Sequence, residues 1–352
     1  MQPVTKINTE LALRAVPPAE VSARQAPGRS RIWIGLCIVG LVATGTVASF
    51  LPRPSPVFPV SSARPELMLI NGAAEADGAQ LVAAGELGHL FHSQGADQPW
   101  SEATVAPQRG STLTQVFFAE PALGLAVGHD NWILRSEDGG ESWQEAHFDA
   151  EAAEALMSVW GTPRGPLFAT GSFGRFLVSE DRGKTWQPRD TGLGDRHFYG
   201  IAGGGQQRLM LVGESGLVAR SADGGQSWER LPDVYNGSFF GLIALSASDW
   251  LVYGMRGKVF RTGDFGGNWQ EIDADTGLSL YGGTYTRDGR VVLVGEGGVV
   301  TQSGDGGRTF KRLNDGGAGS LSSVAELADG RLIFTGQSGI SVAGKPAKSP
   351  TP

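Results

Sequence analysis

The chain has 352 residues, 53 of them glycine, with 18% charged side chains, a net charge of −7 and one cysteine, Cys37. A single cysteine excludes an intramolecular disulfide framework, and glycine at this level without a collagen period fits many short strands joined by tight turns. Residues 1–53 carry six basic and two acidic side chains, so residues 54–352 carry a net −11, which argues against nucleic acid and anionic lipid as ligands of the larger part.

The first element is an uncharged run of 20 residues, 32–51, IWIGLCIVGLVATGTVASFL. As a helix it is long enough to span a hydrocarbon core of roughly 30 Å. Lys6, Arg14, Arg24, Arg29 and Arg31 precede it and only Arg53 follows closely. The positive-inside rule therefore places residues 1–31 in the cytoplasm and everything beyond Arg53 outside, on an inner-membrane protein with a single pass. A cleaved signal peptide is the competing reading, because Thr46-Val47-Ala48 offers small residues to a peptidase. The length of the run and of the segment before it favours an uncleaved signal anchor.

From residue 55 onward the chain is repetitive. Seven short apolar runs each end at a glycine that opens a Gly-x-x-Gly type of turn: Gly85, Gly128, Gly171, Gly213, Gly254, Gly295 and Gly336, in steps of 41 to 43. A period near forty with strand-like runs between turn signals predicts a toroid of β-blades. In the third copy Leu156–Trp160 alternates as an inner strand, Leu167–Thr170 is the second, Phe176–Val178 the third and Trp186–Pro188 the outer. The same inner-strand register recurs at Leu113, Phe198, Phe239, Leu280 and Leu321. The expectation is an all-β, seven-bladed propeller over residues 55–343, ending in a disordered tail at 344–352.

Between third and outer strands lies a second signature: SEDGGESW from Ser136, SEDRGKTW from Ser179, SADGGQSW from Ser221, TGDFGGNW from Thr262 and SGDGGRTF from Ser303. Asp138, Asp181, Asp223, Asp264 and Asp305 are placed to accept backbone N–H bonds in an Asx turn, as buried turn carboxylates, and the glycine two positions on permits positive φ. Trp143, Trp186, Trp228, Trp269 and Phe310 supply apolar surface between blades. Recurrence on blade after blade marks these residues as structural, since an active site occurs once. The first copy keeps Ser93 and Trp100 but has Gly95 in place of the aspartate, and the seventh stops after its third strand at Ile340–Ala343. Residues 55–64 are expected to supply the missing outer strand, because an unpaired edge is a liability.

Asp boxes behind V-G-x-x-G-x-[IVL] elements, as in LAVGHDNWILRSEDGGESW and LVGESGLVARSADGGQSW, resemble the Ycf48/HCF136 family of photosystem II stability and assembly factors, over roughly residues 60–343. The resemblance implies a seven-bladed propeller that assists assembly of a membrane protein complex and is not an enzyme. The chain departs from that family in its signal anchor and in an acidic ring without the matching basic patch, which points to a non-photosynthetic bacterial relative.

In a four-stranded blade the turns between second and third strands share a face with the links from blade to blade, while the Asp boxes occupy the other face. Candidate binding residues are therefore those in and beside these turns: Glu86, His129, Asp130, Trp132, Phe173, Arg175, Glu214, Arg256, Glu296 and Gln337. They differ between blades, as a binding rim requires; solvated turn residues are the plainer reading. The expected partner is a membrane protein or complex, met by a monomeric ring, with no nucleic acid and no cofactor. No metal is expected either, because His89 and His92, three apart on a strand, point to opposite faces. The alternative is a carbohydrate-binding or sialidase-like propeller, for which Arg175, Arg196 and Arg256 with Tyr199 or Tyr281 are the available residues. No G-x-S-x-G elbow supports a serine hydrolase.

Overall fold

The computed structural model describes residues 29–50 and 63–343, except 79, 150, 153, 206, 315 and 318. A 22-residue α-helix, Arg29–Phe50, covers most of the apolar run. Its side chains are described over residues 33–44, and among the described residues no helix is long and apolar enough to cross a membrane. The helix and the β domain belong to separate compact units.

The β domain contains seven sheets in chain order, antiparallel apart from one added strand, which form the seven-bladed propeller that the repeat period predicts. Blades 1, 3, 4, 5 and 6 are four-stranded meanders, with inner strands Ile70–Asp77, Leu156–Gly161, Phe198–Gly203, Phe239–Ala244 and Leu280–Tyr285. Second strands such as Leu209–Gly213 and Val291–Gly295 read as unbroken apolar runs and are buried throughout. That follows from sheets stacked on both faces by neighbouring blades.

Two blades depart from the meander. Blade 2 has a longer outer strand, Ser142–His147, and a fifth strand, Thr104–Ala106, which leaves blade 1 and pairs parallel to it. Blade 7 has three strands among the described residues, Leu321–Glu326, Leu332–Gly336 and Gly339–Val342. The expected outer strand at 55–64 lies outside the described residues except for Ala63 and Arg64, which are not in a strand. Ala63 packs with Ile340 and Val342 in the cluster that joins blade 7 to blade 1, where Ile70, Leu81 and Phe91 meet Leu327 and Ile333. Arg331 bridges the same seam to Asp97 at 2.8 Å, across 234 residues of sequence.

Each Asp box is a turn with two successive residues in the left-handed region. In blade 3 these are Arg182 (φ 66°) and Gly183 (φ 79°); in blade 5, Phe265 (φ 58°) and Gly266 (φ 87°). The hydroxyl that opens the box is buried at Ser136, Ser179, Ser221, Thr262 and Ser303. It donates to its own aspartate and accepts the N–H of the box glycine, at 2.8 Å from Gly183 and Gly225. The aspartate accepts the N–H and the side-chain donor of the residue four positions on, at 2.9 and 2.7 Å for Asp181 and Thr185. These bonds hold the carboxyls of Asp181, Asp223 and Asp264 down at about 2.

The carboxylates are not buried as the sequence reading expected. Asp138, Asp181, Asp264 and Asp305 are exposed and Asp223 is half-exposed, so the buried member of the motif is the hydroxyl. The aromatics behave as expected: Trp143 and Trp186 are buried, and Trp228, Trp269 and Phe310 pack partly buried against blade cores. The box glycines abut the second strand of the preceding blade, where a Cβ on Gly225 would stand 2.8 Å from Phe168 and one on Gly183 2.9 Å from Leu125. In blade 1, where Gly95 replaces the aspartate, Ser93 turns its hydroxyl to the carbonyls of Gly95 and Gln98.

Candidate functional site

The turns on the opposite face have their own steric logic. A Cβ on the first glycine would strike the carbonyl before the inner strand, 2.1 Å from Ala155 O for Gly171 and 2.0 Å from Ser279 O for Gly295. The second glycine is left-handed and lies under the link to the next blade; a Cβ on Gly216 would come within 1.9 Å of Tyr235 O and one on Gly257 within 2.1 Å of Thr276 O. Blade 2 is the exception, with Asn131 left-handed (φ 52°) and buried where the other copies have glycine.

The residue after the first glycine is also structural. Glu86, Glu214, Glu296 and Gln337 each accept the backbone N–H 17 positions earlier, at 2.9 to 3.3 Å from Leu69, His197, Ser279 and Ser320. The Met255 sulfur takes the same place above the Ser238 N–H. Four of the proposed rim residues thus hold the entrance of an inner strand.

In blades 1 to 6 the next position is left-handed whatever residue fills it: Leu87 (φ 55°), Asp130 (φ 59°), Phe173 (φ 52°), Ser215 (φ 54°), Arg256 (φ 58°) and Gly297 (φ 62°). A bulky residue in this region is strained. Leu87 and Phe173 are nevertheless about 60% exposed, at 60% and 61%, and Arg256 is exposed.

The remaining candidates divide. Asp130 accepts the Ser111 hydroxyl at 2.5 Å and His129 is exposed. Arg175 is ion-paired with Glu154 on the link into its own blade. Trp132 is not a rim residue at all: it is fully buried in the core of blades 1 and 2 and its indole N–H donates to Glu145 at 3.0 Å. Trp132 stands where blade 4 has Leu217 and blade 6 Val299, both buried, and where blades 1, 3 and 5 have the partly exposed His89, Arg175 and Lys258. His89 pairs with Glu102 at 2.5 Å, while His92 Nδ1 is buried without a partner.

What the motif reading missed is one residue further on, at the start of the inner strands. In all seven blades the ladder between inner and second strands slips at the same place, between Leu156 and Ser158 in blade 3 and between Phe198 and Gly200 in blade 4. A bulge re-aims the side chain it releases. The released residues are Asn71, Thr114, Met157, Tyr199, Phe240, Tyr281 and Ser322, and all seven line the central channel, a cavity of about 780 Å³.

They divide that mouth in two. Asn71 donates to Leu113 O at 2.8 Å and Thr114 to Leu156 O at 2.7 Å, so these polar residues stitch neighbouring inner strands together. On the other side Tyr199, Phe240 and Tyr281 form an aromatic arc, with centroids 5.5 Å apart at both steps and rings inclined by 66° and 54°. The arc continues outward through His197 to the exposed Phe173, 4.7 Å from the imidazole. Burial, and then Glu214, pushes the Tyr199 hydroxyl above its usual range; burial, and then Glu296, does the same for Tyr281.

The other end of the channel is charged. Arg287 donates to Leu327 O at 3.0 Å and stands 3.8 Å from Glu75 and 4.0 Å from Glu326. Glu75 Oε2 is buried without a hydrogen bond, and desolvation raises its carboxyl above the ordinary value.

No protein-family model matches the chain, and no curated protein matches it. Solved structures match the fold. The chain is 15% identical to YCF48 from Cyanidioschyzon merolae, with a TM-score of 0.63, over 81% of this chain and 96% of that one. It is 19% identical to a structure of YCF48 bound to D1 peptide, TM-score 0.64, over 78% and 93%. A streptogramin B lyase is matched at 13% identity with a TM-score of 0.68, over 80% and 95%. The shared property is the propeller.

Proposed function

We propose that this chain is a membrane-held, extracytoplasmic propeller that docks a membrane protein or complex at the link-side mouth of its channel, as an assembly or stability factor without catalysis. The observation that carries the reading is the aromatic arc of Tyr199, Phe240 and Tyr281, at bulge positions that are filled by stitching polar residues across the channel. Large side chains left partly open at a channel mouth suit a docking surface. The match to a propeller solved with a bound peptide supports a polypeptide as the ligand class. Anchoring rests on the uncharged run 32–51, its helix and the basic excess before it.

A glycan-binding or sialidase-like reading draws on the same tyrosines and is less well supported. Arg175 is committed to Glu154, and rings inclined by more than 50° do not offer a sugar one flat platform.

The test is the abundance of membrane complexes in a deletion strain, resolved by native electrophoresis and mass spectrometry. One complex should fall and be restored by the full chain, but not by the chain lacking residues 1–53 or by Phe240→Ala with Tyr281→Ala. Unchanged complexes, or full restoration by the mouth variant, would reject the reading. Protease added to spheroplasts should digest the ring, and a protected ring would reject the topology.

A further inference from the structure

Resting on the docking reading, we infer that the aromatic arc recognises a cationic segment of the partner, an arginine or lysine side chain inserted at the channel mouth. The first ground is the rings themselves. Tyr199, Phe240 and Tyr281 come from three successive blades and turn around the mouth instead of lying in one plane. Inclined rings about a common opening suit a cation, whose attraction to each π face is electrostatic.

The second ground is charge. Glu214 and Glu296 hold the two backbone N–H groups beside the outer tyrosines, each through one carboxylate oxygen. Their negative charge is close enough to act on the hydroxyls of Tyr199 and Tyr281. No lysine and one arginine, Arg287, lie among the described residues lining the channel, and Arg287 is held at the far end by Glu326 and Glu75. The sequence beyond residue 53 carries −11, so the long-range field also favours a basic partner.

Arg256 decides the sign experimentally. It is exposed on the blade 5 turn, between Glu214 of blade 4 and Glu296 of blade 6. An acidic partner would use it; a basic partner would be repelled by it.

The test uses the full chain in non-ionic detergent, at about 0.1 M salt so that charges beyond roughly 10 Å are screened. Fluorescence anisotropy would follow labelled six-residue peptides of arginine, of citrulline (the same shape without charge) and of glutamate. Hexa-arginine should bind, with hexa-citrulline at least about ten-fold weaker, and Phe240→Leu and Tyr281→Leu should each weaken it roughly five- to ten-fold by removing a π face while keeping bulk. Glu214→Gln with Glu296→Gln should weaken it about two- to five-fold. Arg256→Ala should leave it equal or tighter, and Glu137→Gln with Glu180→Gln, on the Asp-box face, should leave it unchanged.

Equal binding of hexa-citrulline, preference for hexa-glutamate, weakening by Arg256→Ala, or equal losses from the Asp-box variants would each overturn the inference. The docking reading fails separately: membrane complexes indifferent to the mouth variants would sink it even where hexa-arginine binds. Complexes that depend on the mouth, with peptides that bind regardless of charge, would leave docking standing and remove the cation.

Discussion

The two faces of the ring are built from repeats of equal regularity, and they differ in where the matched positions vary: on the box face at turn residues such as Arg182 and Phe265, on the link face also at residues that line the channel. On the Asp-box face the same bonds recur in five blades, from a buried hydroxyl through an exposed or half-exposed carboxylate to the residue four positions on. On the link face the first glycine recurs in all seven blades, the second in six and the side-chain oxygen acceptor after the first in four, while the left-handed tip and the bulged residue change from blade to blade. Both of those positions are set by backbone geometry and leave the side chain open. Repetition secures the ring, and the freed positions are where this chain acquires an asymmetric surface.

The largest effect should come from the link-face backbone. Gly216→Ala combines a left-handed residue (φ 73°) with a Cβ 1.9 Å from Tyr235 O, and should cost about 2–5 kcal/mol in denaturant unfolding. A loss below half a kcal/mol would show that the link yields and that glycine is not required there. On the box face, Ser221→Ala leaves the Gly225 N–H without its 2.8 Å partner inside the fold and should cost about 1–3 kcal/mol. Asp223→Ala removes an acceptor that water partly replaces and should cost less, roughly 0.5–2 kcal/mol. The reverse order would mean that the carboxylate, not the hydroxyl, organises the box.

The box carboxyls also give a pH signature. Their folded pKa values, about 2 for Asp181, Asp223 and Asp264, lie below the ordinary 3.8. The stability they contribute is present above 3.8 and is lost as pH falls through 2. Glu75 at the channel's charged end has the opposite sign. Its pKa is raised from 4.5 by burial, so stability falls as pH rises from 4.5 through the folded value. Glu75→Gln should flatten that limb of a melting-temperature profile and leave the acid limb unchanged.

The smallest stability change is expected at the mouth. Phe240 is half-buried on the channel wall, and Phe240→Leu should shift stability by under about 1.5 kcal/mol. A larger loss would make the arc part of the core and weaken its reading as a surface.

Much of this was legible in the sequence. The step of 41 to 43 residues set the blade count, and the start of every named inner strand fell where expected, at Leu113, Phe198, Phe239, Leu280 and Leu321. The site was less legible for physical reasons. Glu86, Glu214, Glu296 and Gln337 perform one hydrogen bond, to a backbone N–H 17 positions earlier, a pairing that the turn motif alone does not reveal. Trp132 shares its offset with the buried Leu217 and Val299 but also with the partly exposed Arg175 and Lys258, so the spacing alone does not reveal its burial. The bulge leaves no residue signature, because Asn71, Met157 and Tyr281 share nothing except their offset from the strand start. That offset was available in the sequence, and Tyr199, Phe240 and Tyr281, at steps of 41 residues, were the signal.

The most direct test of the central claim compares the two faces in intact cells. A photo-crosslinking amino acid would replace Phe240 at the channel mouth or Gln226 on the Asp-box face of the full chain. The account predicts a crosslink to a membrane protein from position 240 and none from position 226. A crosslink from position 226 with none from position 240 would contradict it.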